Sequence, residues 1–154
     1  MIDQVRTLIV NEMKRRLTVA FPNITIYEGG GSVWGEWTRV LPCFHVYEMT
    51  ADVKGSDTAN RGTYRTVLPV QVEYITKLNN RTLLFTEGRS KLFSLQQAIE
   101  LDRRFGQNAG TQTPGQELVV SYHMTANEIV EVIPNVVDVA VLYDFIFIEK
   151  FYGY

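Results

Sequence analysis

Cysteine is the scarcest residue in this 154-residue chain: Cys43 stands alone, so no internal disulfide can staple the fold. The composition is therefore compatible with a reducing compartment. Long apolar runs are missing as well, since none reaches the ~18 residues of a membrane span, and no membrane partner is expected. Charge of one sign is missing too. Fifteen Lys and Arg against seventeen Asp and Glu leave a net charge of -2, which excludes a nucleic-acid binder that relies on a broadly basic surface while leaving a local basic patch open. Histidine is limited to His45 and His123, each without a second ligand at metal spacing, and both are expected to be ordinary sheet residues. Gly29-Gly30-Gly31-Ser32 lacks the Gly-Lys-Ser/Thr that would make it a phosphate loop, and reads as a flexible turn. The first sixteen residues interleave Asp3, Arg6, Glu12 and Lys14 with apolar positions, unlike a secretory leader, so the expected setting is the cytosol.

What the chain does have is one dominant apolar run, Val136 to Phe151 (VVDVAVLYDFIFIEKF), rich in β-branched and aromatic residues and free of Gly and Pro. Those residues fit a pleated, buried surface better than a helix. Alternation places Val137, Val139, Val141, Tyr143, Phe145 and Phe147 on one face of a strand. Asp138, Ala140, Leu142, Asp144, Ile146 and Ile148 fall on the other. Both faces want cover, so the strand belongs inside a sheet with helices on one side and further structure or a partner subunit on the other.

The rest of the chain supplies those partners. Ile2, Val5, Leu8, Ile9, Met13, Leu17 and Ala20 recur at helical spacing and predict an amphipathic helix that stops at Phe21-Pro22. Strands are expected over Asn23 to Glu28, Leu41 to Thr50 and Thr63 to Lys77, where Pro69 marks an edge, a bulge or the strand's start. A second helix is expected from Ser90, as N-cap, to Phe105, with Gly106 ending it. Ala51 to Gly62 and Gln107 to Gln116 read as exposed loops. Strands over Leu118 to Tyr122, Ile129 to Ile133 and Val137 to Phe151 complete the chain. The expected architecture is one α+β domain spanning 1–154: a mostly antiparallel, curved sheet with two helices packed on one face.

No catalytic, cofactor-binding or metal-binding constellation is apparent, and none is expected. Cys43 adjoins Pro42 and Phe44 without a flanking base and is expected to be a buried small residue. Glu48, Asp52 and Asp57 gather around a loop and are expected to face water. A small-molecule-binding or hydrolytic domain using the acids near Asp52 is the competing reading. Asp138 and Asp144 interrupt the final strand, where an isolated buried charge is costly; solvent, an arginine or a subunit boundary is expected beside them. Trp34 and Trp37 either cover one end of the core or anchor an interface, and Phe151 and Tyr152 extend the aromatic surface at the terminus. Lys14, Arg15 and Arg16, like Arg103 and Arg104, sit near a helix C-terminus, where positive charge is favoured. A solvated face is expected of them, with contact to phosphate as the alternative.

The opening helix ending at Phe21-Pro22, the NITIYE and VLPVQVEYITK strands, the SKLFSLQQAIELDRRFG helix and the closing apolar strands together resemble the tail terminator, or tail completion, proteins of tailed bacteriophages. The GGGSVWGEW and TADVKGSDTANRG segments are elaborations on that pattern. The resemblance implies a structural protein of the virion, assembled in the host cytoplasm as a ring of six subunits at the tail–neck junction. Such a ring caps the tail tube, ends its growth and offers a surface to the head connector. Its implied partners are the tail tube protein, the connector or another neck protein and the tail sheath, with at most incidental contact with packaged DNA. Another neck or head-completion role is the nearest alternative.

Overall fold

A computed structural model describes residues 3–28, 40–55, 63–102, 105 and 121–150. Its elements are α1 (Asp3–Ala20), β1 (Thr25–Glu28), β2 (Cys43–Glu48), β3 (Asp52–Gly55), β4 (Thr63–Lys77), α2 (Leu84–Ile99), β5 (Ser121–Ile133) and β6 (Val136–Lys150). The strands form one six-stranded sheet in the order β1-β2-β4-β6-β5, with β3 also paired to β4. Among the described strands, only the β1–β2 pairing is parallel. This is the expected α+β sheet with both helices on one face.

The apolar run becomes an inner strand of the sheet, β6, between β4 and β5. Its odd-numbered side chains from Val137 to Phe147 are all buried, against Ile9, Met13 and Leu17 of α1 and Leu95 and Ile99 of α2. Those helical residues recur every three or four positions, so each helix presents one stripe to the sheet. Fifteen residue pairs join β4 to β6, from Thr63↔Lys150 to Lys77↔Val136. The alternation read for β4 holds: Val70, Val72 and Tyr74 face the helices with the odd-numbered residues of β6. On β6, the opposite, outer face is half-buried from Asp138 to Ile146.

Four expectations are corrected. The second helix starts at Leu84 because Asn80 caps the short 3-10 turn Arg81–Leu83, its side chain accepting from the Thr82 amide at 3.1 Å. Glu87 then reaches back to accept from the Asn79 and Asn80 amides at 3.0 and 3.1 Å. Ser90 therefore lies inside the helix, and the helix ends at Ile99, leaving Phe105 beyond it yet buried in the core. Gly106 lies outside the described residues.

Part of the loop expected over 51–62 is strand: β3 pairs with Tyr64–Val67 of β4. Asp52, Val53 and Lys54 stay exposed, because a strand can satisfy its backbone in a ladder while both faces meet water. Pro69 sits in mid-strand. Its carbonyl accepts from the Met49 amide at 2.8 Å, so its missing N–H falls on the side of β4 where pairing passes from β2 to β3. The two strands expected around His123 are one, β5, with register shifts at Met124/Ala126 and Glu131/Ile133. The two-residue turn Pro134-Asn135 joins it to β6; Asn135 adopts a φ of 66°, which an asparagine tolerates better than most residues.

Candidate functional site

Three regions collect the side chains singled out by sequence. The first is the end of α1. Lys14 is paired with Glu28, and the Arg15 Nε donates to Glu12 at 2.6 Å. Arg16 departs from the solvated face expected of it: it is only 2% exposed. Its Nη1 donates to the carbonyl oxygens of Ile99 at 2.6 Å and Asp102 at 2.9 Å, and to the Tyr122 hydroxyl at 3.3 Å. The guanidinium lies 4.3 Å from the Phe105 ring centroid, with Glu12 at 3.6 Å from Nε. Leu17 and Met13 draw this turn of the helix into the core, and Arg16 follows because the C-terminal carbonyls of α2 and a carboxylate await it there. An arginine so enclosed cannot meet phosphate. It is a clamp that ties α1 to the end of α2 and to β5.

The second region is the outer face of the sheet. Register places His45 opposite Glu73 and Glu73 opposite Ala140, with Glu128 beyond; in the next row Cys43 faces Ile75 and Ile75 faces Asp138. Asp138 therefore lies diagonal to Glu73 on the neighbouring strand. Neither open solvent nor an arginine, as expected, but a second carboxyl group is its neighbour. Burial, then the Glu73 charge and hydrogen bond, then Glu128, push the Asp138 carboxyl up to about 8. Burial raises the Cys43 thiol to about 11 and the Tyr47 hydroxyl to about 12, and it lowers the His45 imidazole against the pull of Glu73. Tyr27 stacks on His45 with ring centroids 5.3 Å apart. Cys43 is buried, as expected of it. Among the described residues, no group of three His, Cys, Asp or Glu side chains is arranged to hold a metal ion.

The third region is the far edge of the sheet. β5 pairs with β6 along one side, and no described strand lies along its other side. Val130 and Ile133 are exposed on it. Helix α2 runs beside this edge, with Gly88 packed against Ile129. Phe85 and Phe93, 60% and 61% exposed, lie off the buried stripe of that helix, and Leu101 follows after its end. Sequence reasoning missed this flank because starting the helix at Ser90 left Phe85 out of it. The signal was an aromatic pair at eight-residue spacing, displaced from the Leu92–Leu95–Ile99 stripe.

The remaining candidates are dispersed. Asp144 is half-buried on the outer face in register with the exposed His123. Asp52 is exposed and pairs with Lys54 at 3.9 Å. Glu48 lines an open cleft of about 310 Å³ between α1 and the ends of β1 and β2, together with Glu28, whose carboxylate is engaged by Lys14. Asp52 is not part of that cleft. Trp34, Trp37, Asp57, Arg103, Arg104, Phe151 and Tyr152 lie outside the described residues. No described helix is long and apolar enough to cross a membrane. Compared with known proteins, the chain matches no family model and no curated sequence.

Proposed function

We propose that the chain is a structural subunit of a tailed-phage neck, a tail terminator that closes as a ring, of six copies in the resembled family's manner, on the head-proximal end of the tail tube. The observation that carries this reading is the edge along which no described strand pairs: a 13-residue strand with exposed Val130 and Ile133, beside helix α2, whose Phe85 and Phe93 are exposed. A long edge strand offers a row of backbone donors and acceptors that a monomer normally blunts. Pairing it head-to-tail with a neighbouring copy closes the row, and a rotation that returns on itself gives a ring. The apolar flank would be buried in the same step. In this reading the tube protein below and the connector above bind the two rims, and the near-neutral net charge of -2 needs no nucleic-acid template.

Electron microscopy of particles made without this protein tests the proposal. Tails of irregular or excessive length that fail to join heads are the expected result. Tails of normal length left unjoined would transfer the assignment to a head-completion protein, and normal tails joined to DNA-filled heads would end it.

A further inference from the structure

We propose that Glu73 and Asp138 form a one-proton latch on the outer face of the sheet, closed while they share the proton and released when it passes to solvent. The two carboxyl groups stand diagonally to each other on adjacent inner strands, both turned to the outer face. A carboxylate can only accept, so one member must carry the proton for the two to bond. Their surroundings offer little relief. Glu73 is 7% exposed, and its Oε2, the Asp138 Oδ1 and the His45 Nε2 are buried without a hydrogen-bond partner. Buried acceptors left in that state are costly, and a second negative charge among them is costlier.

Among the described residues, the groups facing the pair do not supply compensation. Glu128 on β5 adds negative charge to Asp138. On β2, Cys43 and Tyr47 are held protonated by burial and by the two acids, while burial disfavours charge on His45, whose ring is covered by Tyr27 of β1. Loss of the shared proton therefore places two unscreened carboxylates on neighbouring strands, beside the Glu128 charge. The relief open to them is rotation into water, which opens the outer face over β2, β4 and β6. Cys43, in the same row as Asp138, reports that opening.

The test uses the full chain labelled with ¹³C at Asp and Glu carboxyl carbons and titrated from acid to alkaline pH. The Asp138 signal should move with a midpoint near 8. Glu73→Gln, whose amide can donate to Asp138, should lower the midpoint by about one pH unit or more. Above the midpoint, Cys43 should react with a thiol reagent roughly tenfold faster in the wild type than in Asp138→Asn at the same pH, against the ionisation effect, since the Asp138 charge raises the wild-type thiol and the amide does not. An Asp138 titration near pH 4 would overturn the proposal, as would equal Cys43 reactivity in the two proteins. Should Asp138→Asn not fold, the wild-type carboxyl titration decides alone.

Discussion

Replacing Arg16 by alanine should cost the fold far more than a helix-surface arginine would. Three acceptors within 3.3 Å of one guanidinium nitrogen lose their donor, two of them the carbonyls of Ile99 and Asp102. Hydrogen bonds to a charged group contribute ~1.5–3 kcal/mol each, though these three share one nitrogen and do not add in full. Stacking on Phe105 adds ~0.5–2 kcal/mol. Glu12 would keep Arg15 as a partner, which spares part of the ~3–5 kcal/mol usual for breaking a buried pair. Together these place the loss at about 3–4 kcal/mol, a large share of the ~5–15 kcal/mol that holds a typical domain folded. With a urea slope of about 2 kcal/mol/M, the unfolding midpoint should fall by roughly 1.5–2 M. Arg16→Lys keeps the charge without the fork or the stacking plane, and should fall between the two. A fall below about 0.5 M for alanine, at unchanged slope, would show that the clamp is incidental.

Gly88→Ala would bring a Cβ to 2.5 Å from the Ile129 Cγ2, so it should destabilise by ~1–3 kcal/mol despite alanine's helix preference; thermal unfolding of Gly88→Ala with Ile129→Ala should show rescue relative to the sum of the single changes. Phe85→Ser with Phe93→Ser should leave circular dichroism unchanged and weaken ring assembly seen by electron microscopy, since both rings are mostly in water in the subunit. For Asp138, the folded-state value near 8 stands above the unfolded one, so the fold binds the proton more tightly. Wild-type stability should accordingly decline between about pH 4 and 8, by on the order of 3–5 kcal/mol, and level off above. Asp138→Asn should flatten that decline in urea titrations at successive pH values.

The parts of the fold legible in the sequence were those set by periodicity within one segment. The faces of β4 and β6, the stripe of α1 and its stop before Pro22 follow from side-chain spacing and proline sterics alone. Misread parts depended on partners distant in sequence. Glu87 reaching back to Asn79 and Asn80 moved the helix start, and Gly88 was tolerated because Ile129 fills the space beside it. Asp138 stood out as a charge in an apolar strand, but its neighbour Glu73 is 65 positions away and emerges only from the β4–β6 register. Arg16 looked like part of a basic surface run until Ile99 and Asp102 supplied acceptors for it.

The changeover at Pro69 gives the sheet two ends of unequal strength. Toward Lys77, β4 is held by β2 on one side and β6 on the other, above a core reached by both helices. Toward Thr63 its second partner is the four-residue β3, whose Asp52, Val53 and Lys54 bury little. Ladder without apolar cover opens at low free-energy cost. Amide protons along β3 and its partners on β4 should therefore exchange well ahead of those between Val70 and Ile75, so that the molecule frays from one corner while its body stays closed.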